Sequence, residues 1–264
     1  MPQTKTLSQE DRVVLQTAKH KMEDVGWAMK SLNKMGNVID SRLALLPQKQ
    51  QKWLQQLSYK VLRTVVKSNL LTMKDRKAEP WNKTYKALVT TSGAVGGAFG
   101  AAAFAVDLSL TTKLMMRSIM DIARNHGEDL NSLDAQLACL QVFALGGKSK
   151  HDDSLDTGYY ASKIAVQSAV KGGTSVAGKA LEGVLAGAAQ PLLQAISIIA
   201  TRFSIQVSEK FVAQAIPIIG AAGGASINLA FMQHFQSMAE AHFSIRALER
   251  KYSPELIKAQ YESI

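Results

Sequence analysis

Apolar residues recur every three or four positions along most of the chain, and this spacing predicts α-helices rather than strands. The first segment, roughly residues 7–78, contains two or three such helices. Their apolar positions are Val14, Ala18, Met22, Val25, Met29 and Leu32 in one stretch, and Trp53, Leu57, Val61 or Leu62, and Val65 after Pro47. The stretch MKDRKAEPWNK (73–83) is charged and contains a proline, which favours a boundary there.

The rest of the chain continues the helical pattern, and no convincing alternating strand occurs. Glycine, proline and capping residues predict where helices begin and end. The predicted start or stop positions are Asp107 or Ser109, Gly127, Gly146, Gly172, Ser208, Pro217 and Gly220. We therefore predict an all-α multi-helix bundle with glycine-rich, closely packed central helices. Residues 1–78 form a basic helical extension packed on a domain of residues 79–264.

The stretch GAVGGAFGAAAFAVD (93–107) has three possible interpretations. A phosphate-binding loop is excluded because it needs a preceding strand and differently spaced glycines. A membrane span is long enough, since residues 87–106 carry no charge, but Gly and Ala dilute its hydropathy. Gly93 and Gly97 are four positions apart, which lets two helices approach closely. Gly220 and Gly224 begin a weakly similar stretch, GAAGGASINLAF (220–231). We favour buried helices over membrane spans.

The net charge of +10 lies entirely in the first third of the chain. Residues 1–86 contain 17 Lys or Arg and 7 Asp or Glu, whereas residues 87–264 contain 14 of each kind. Such asymmetry predicts an acidic partner, either anionic lipid or nucleic acid; a lysine-rich solvated surface is the alternative. The candidate membrane contacts are Lys49, Lys52, Lys60, Arg63 and Lys67.

Three polar residues fall within about 60° on one predicted helix face: Arg117, Asp121 and Arg124. An intrahelical ion-pair ladder explains them best, and a polar anchor for a head group or a partner is the alternative. Asp107 interrupts an apolar run. It is either a buried acid or a helix N-cap, and the N-cap is favoured.

The histidines of the last long helix do not predict a metal site. His234 and His242 lie about 80° apart around the helix, which is wide for a metal pair. His242 shares a stripe with Asn228 and Phe235, and ordinary helix histidines are the favoured interpretation. Nothing predicts a cofactor.

The single cysteine, Cys139, excludes an intrachain disulfide and suits a reducing compartment. The amino-terminal residues show no apolar secretory signal.

Several strings together resemble the EcsC family of bacterial proteins. They are VDLSLTTKLMMRSIMDIARNHGEDL (106–130), LACLQVFALGG (137–147), TGYYA (157–161) and VSEKFVAQAIPIIGAAGGASINLAFMQHFQSMAEAHFSIRALER (207–250). The resemblance covers roughly residues 80–251. The family takes its name from a protein associated with an ABC transporter, so the resemblance implies such an association, but it implies no catalytic residue. Related sequences read Asp-Leu-Pro-Leu where this chain has Ser109 in place of the proline.

We therefore expect a non-enzymatic, cytoplasmic protein peripheral to the inner membrane, which binds lipid or a transporter partner. One alternative is an integral component of a transport system. Another is a peptidase-like hydrolase that uses Asp107, His234 or His242. Nucleic acid is not expected as the partner, because the basic segment has few stacking aromatics and no known motif. The sequence does not predict the oligomeric state.

Overall fold

A computed structural model describes residues 6–23, 36–73, 100–146, 159–171, 190–215 and 217–264. These ranges hold nine α-helices, one 3-10 turn at Val142–Ala144 and no strand. The helices are α1 (Gln9–Glu23), α2 (Gly36–Ala44), α3 (Gln48–Met73), α4 (Gly100–Asn125), α5 (Leu133–Gln141), α6 (Tyr159–Lys171), α7 (Gln190–Ala215), α8 (Pro217–Lys251) and α9 (Pro254–Ser263). The predicted all-α fold is confirmed.

Capping residues set several helix ends where the sequence predicts them. The Gly127 backbone is left-handed (φ +78°), and the next N–H, of Glu128, donates to the carbonyl of Ala123 at 3.0 Å. This arrangement is a Schellman motif, which closes α4 two residues after Asn125. Gly146, also left-handed (φ +74°), follows the 3-10 turn.

Three predicted interruptions are wrong. α4 continues through Asp107 and Ser109, α7 continues through Ser208, and α8 continues through Gly220. Ser109 and Ser208 each donate a hydroxyl hydrogen bond of 2.7 Å to the carbonyl four residues earlier. A serine inside a helix can satisfy its hydroxyl in this way, so it does not have to mark a helix start.

The two long helices α7 and α8 form the centre of the bundle. α7 packs against α2, α3, α6 and α8, whereas α8 packs against α1, α4 and α9. Between them lie the fully buried rings of Phe143, Phe203, Phe231 and Phe235. Phe143 lies 5.1 Å from Phe203 and 5.2 Å from Phe235, measured between ring centroids. These tilted and edge-to-face contacts favour one arrangement of the rings.

The first helix is fastened to the last two. Leu15 and Ala18 of α1 are buried. The backbone N–H of Ser8 donates to the Tyr252 hydroxyl at 3.1 Å, and the Lys19 ammonium donates to the carbonyl of Tyr261 at 2.9 Å. The hydrophobic core therefore includes residues from both sides of the predicted boundary at residue 78.

The glycines with predicted packing roles are only partly described. Gly93 and Gly97 lie outside the described residues. Gly220 lies within α8, and Gly224 is buried in the same helix. The predicted close approach of glycine-faced helices stays a prediction.

Candidate functional site

Four basic residues of α3 have described side chains, and these lie on the solvent-facing side of the helix. α3 contains five Lys or Arg and no Asp or Glu. Lys49, Lys52, Lys60 and Arg63 are exposed, and Lys67 lies on the same helix. The opposite side of α3 is held in the core by apolar side chains, which include Leu54, Val61 and Leu62. The helix therefore presents its cations outward because its apolar stripe faces the bundle.

Three of these cations line an open groove between α3 and α7. The groove has a volume of about 940 Å³. α3 contributes Lys52, Gln55, Gln56, Tyr59, Lys60, Arg63 and Thr64, and α7 contributes Ser197, Ala200 and Thr201. No carboxylate is among these described lining residues, so none of them neutralises the charge of the three cations. Lys49 is exposed on the same helix but is not part of the lining.

A buried ion pair joins the middle of α4 to α7. The Lys210 ammonium nitrogen lies 2.8 Å from Asp107 Oδ2, and neither side chain is more than 2% exposed. Asn228 of α8 donates to Asp107 Oδ1 at 2.7 Å, and Gln214 donates to Oδ2 at 3.4 Å. Asp107 is therefore a buried acid within a helix, and the favoured N-cap interpretation is wrong.

The charges of this pair are stabilised by their surroundings. Burial opposes the charged carboxylate, but the charge and hydrogen bond of Lys210, together with the amide of Asn228, hold the pKa of Asp107 below its usual value. Burial lowers the pKa of Lys210, and the Asp107 charge opposes that effect. The Lys210 nitrogen also lies 5.0 Å from the ring centroid of Phe231 and 6.0 Å from that of Phe104. Cation–π attraction adds to the stability of the buried ammonium.

The predicted ladder on α4 contains one ion pair. The Arg124 guanidinium donates to Asp121 Oδ1 at 2.9 Å, and Asp121 is buried. The Nε atom of Arg117 is buried without a hydrogen-bond partner among the described residues. The pair supports an intrahelical role for Asp121 and Arg124.

The two histidines of α8 lie in different surroundings. His242 is fully buried, and its Nδ1 lies 3.1 Å from the Tyr159 hydroxyl. Burial, with the nearby charges of Arg246 and Lys163, lowers the pKa of His242 well below its ordinary value, so the ring is neutral. The His234 ring packs near Gly146 instead.

The three candidate residues of the hydrolase alternative have different described partners, because Asp107 pairs with Lys210, His242 contacts Tyr159 and His234 packs near Gly146. No cluster of three His, Cys, Asp or Glu with metal-binding geometry occurs within the described ranges.

A second charged cluster, at the carboxyl-terminal half of α8, is missing from the sequence predictions. Arg246 donates to both carboxylate oxygens of Glu128, at 2.8 and 2.9 Å, and to Asp134 at 2.6 Å. Arg250 also pairs with Glu128. The turn at Gly127 positions Glu128 next to Arg246. An acidic residue directly after a helix-ending glycine is therefore the sequence signal that could have indicated this cluster.

The cluster borders a small cleft of about 160 Å³. The buried Nε2 of Gln141 lines this cleft and has no hydrogen-bond partner in the described part of the chain. Two carboxylates already neutralise Arg246 there, so this cleft lacks the uncompensated positive charge of the groove on α3.

Within the described ranges, every helix is too short or too polar to cross a membrane. Of the stretch considered as a span, residues 87–99 lie outside those ranges.

Comparison with known families identifies the chain. The EcsC protein family model matches residues 9–248. The chain therefore belongs to the EcsC protein family, as its motifs suggest, and the matched region begins well before residue 80. No curated protein and no solved structure was found to match it.

Proposed function

We propose that this member of the EcsC family is a non-enzymatic peripheral protein that docks through α3 on the anionic cytoplasmic face of a membrane. One observation carries the proposal. Over 26 residues α3 has five cations and no acid, and the four cations whose side chains are described are exposed. A lipid surface is favoured over a protein partner such as a transporter because the feature is a row of like charges on one exposed helix.

The physical basis is attraction to anionic lipid. Each Lys or Arg near such a surface contributes about 1 kcal/mol, and the attraction decays within a Debye length. Lys49, Lys52, Lys60 and Arg63 form no ion pair with a carboxylate in the described part of the chain. Their charges are therefore available to lipid phosphates.

Co-sedimentation with vesicles tests the proposal. Changing Lys49, Lys52, Lys60 and Arg63 together to Gln removes at most about 4 kcal/mol of attraction. A loss of about 1.4 kcal/mol already weakens binding tenfold, so we expect binding to anionic vesicles to weaken by about tenfold to a thousandfold. Binding to neutral vesicles stays low. Raising the salt concentration weakens binding by the parent protein but has a smaller effect on the variant.

A matched variant controls for net charge. Arg12, Lys21, Arg42 and Lys258 lie outside α3, and their change to Gln alters the net charge by the same amount. This variant should retain most of the vesicle binding. Equal losses in both variants, or tight salt-sensitive binding of duplex DNA by the parent, contradict the proposal.

A further inference from the structure

We infer that the groove between α3 and α7 binds the phosphomonoester group of one anionic lipid, so that membrane docking includes a specific headgroup site. This inference rests on the proposed function and adds a ligand class to it. The groove volume of about 940 Å³ is within the range of small-molecule sites, roughly 300–1,000 Å³.

Two of the three groove cations lie close enough together to bind the same anionic group. Lys60 and Arg63 are three residues apart on α3, so they are neighbours on one face of the helix. Lys52 lies eight residues before Lys60, about 12 Å along the axis at 1.5 Å per residue. Lys60 and Arg63 therefore form a compact cationic end, and Lys52 extends the same wall.

Neutral donors complete the groove. Tyr59 and Ser197 line it, and neither hydroxyl takes part in a described hydrogen bond. The Thr64 and Thr201 hydroxyls donate their single hydrogens to backbone carbonyls of their own helices, at 2.9 and 3.0 Å, so the neutral donors of the groove are Tyr59 and Ser197. The two sides thus combine charged and neutral donors, and α7 adds no acid to the lining.

A phosphomonoester fits these donors better than a singly charged group. It carries about −1.5 to −2 charges at neutral pH and three strong acceptor oxygens. A guanidinium can bind two of those oxygens at once, and ammonium groups bind as point charges. The aliphatic stems of Lys52 and Lys60, with Ala200, give the groove walls an apolar part for the rest of a lipid headgroup.

The decisive comparison uses single substitutions that remove equal charge. Arg63→Gln changes the groove, whereas Lys49→Gln removes an exposed charge from the same helix outside the groove. Binding is measured on vesicles containing phosphatidic acid and on vesicles containing phosphatidylglycerol, matched in surface charge. A direct hydrogen bond to a charged phosphate is stronger than the screened attraction of a lysine to the membrane surface. Arg63→Gln should therefore weaken binding to phosphatidic acid vesicles by about tenfold, and Lys49→Gln by about twofold.

Two further arms separate the possible ligands. Ser197→Ala removes one neutral donor without changing charge, and it should weaken binding only on phosphatidic acid vesicles. Soluble glycerol 3-phosphate, at constant ionic strength, should compete only weakly because it lacks the membrane surface. Unchanged melting temperatures of the three variants confirm that the fold is intact.

Each outcome has one meaning. If the parent binds no anionic vesicle, the proposed function itself fails. If Arg63→Gln and Lys49→Gln weaken vesicle binding equally, or both lipids bind equally, docking stands and the specific site is overturned. Strong binding of glycerol 3-phosphate without preference for phosphatidic acid vesicles assigns the groove to a soluble phosphate ester and overturns the lipid inference.

Discussion

Two glycines, Gly127 and Gly146, have the same left-handed backbone but different surroundings. A Cβ at Gly127 would approach Arg250 Nη2 only to 3.7 Å, an ordinary contact. A Cβ at Gly146 would lie 2.5 Å from the His234 ring and 2.7 Å from Met238 Sδ. An alanine would be strained by the left-handed backbone at both positions, but it would clash with neighbouring side chains only at Gly146.

We therefore expect Gly146→Ala to destabilise the protein more than Gly127→Ala. The left-handed conformation costs a non-glycine residue about 1–2 kcal/mol, and overpacking at Gly146 adds about 1–3 kcal/mol. Urea unfolding of both variants measures the difference in the free energy of unfolding. Equal losses would show that the His234 and Met238 side chains move aside without cost.

At the scale of elements, three helices are connected by Asp107. It lies on α4, pairs with Lys210 on α7, and accepts a hydrogen bond from Asn228 on α8. Breaking a buried pair leaves an uncompensated charge, which costs about 3–5 kcal/mol. The helices are therefore coupled through one carboxylate.

This coupling predicts a rescue by a second substitution. Asp107→Asn and Lys210→Met should each destabilise strongly, whereas the double variant should unfold closer to the parent. An asparagine oxygen still accepts from Asn228, and the buried charge is gone. The coupling free energy should exceed about 1 kcal/mol.

An exposed pair serves as the control for this cycle. Lys258 and Glu262 lie 3.7 Å apart on α9, and both side chains are exposed. Their cycle should give only about 0.3–0.5 kcal/mol. Strictly additive losses for Asp107 and Lys210 would contradict the buried coupling.

The sequence predicts helix ends that depend on local chemistry. Gly127 ends a helix because glycine readily adopts the left-handed conformation, and Pro217 begins one because its fixed φ suits the first helical position. The sequence does not predict that Asp107 lies inside a helix, because the partner that makes burial favourable is Lys210, on another helix. Ser109 and Ser208 mislead for a related reason: their hydroxyls find partners within the helix.

The candidate site divides in the same way. The cations of α3 are visible in the sequence because they occur on one helix without acids. The groove cannot be predicted from the sequence, because Ser197 and Thr201 belong to a helix more than a hundred residues further along the chain. The Glu128–Arg246 pair, 118 residues apart, is likewise invisible to local patterns.

At the scale of the whole molecule, three described carboxylates with lowered pKa values each join distant segments. Asp11 joins α1 to Lys251, Asp107 joins α4 to α7, and Glu128 joins the end of α4 to α8. Hydrogen bonds from Lys251, Ser8 and Tyr252 lower the pKa of Asp11 to about 2. For Glu128, burial opposes the charge, but Arg246 and Arg250 still hold its pKa below the usual value.

These lowered pKa values predict acid sensitivity. A carboxyl group with a lower pKa in the folded state binds fewer protons there than in the unfolded state. Its stabilisation is therefore complete above the unfolded pKa, about 4, and is lost as the pH falls through the folded pKa. The urea midpoint should decrease from about pH 5 toward pH 2.

Glu128→Gln is the matched test of this pH dependence. The variant should be less stable than the parent at neutral pH, and its urea midpoint should decrease less on acidification. Parallel pH curves for variant and parent would show that Glu128 does not contribute to the acid sensitivity.

The docking of α1 on α8 and α9 also constrains the order of events during synthesis. Ser8 and Tyr252 are 244 residues apart. At about 5–20 residues per second, the ribosome needs roughly 12–50 s to make the chain between them. During that time Leu15, Ala18 and Met22 of α1 have no α8 to cover them. We therefore expect the apolar face of α1 to stay exposed on the nascent chain, and α1 to reach its native contacts only after α8 and α9 emerge.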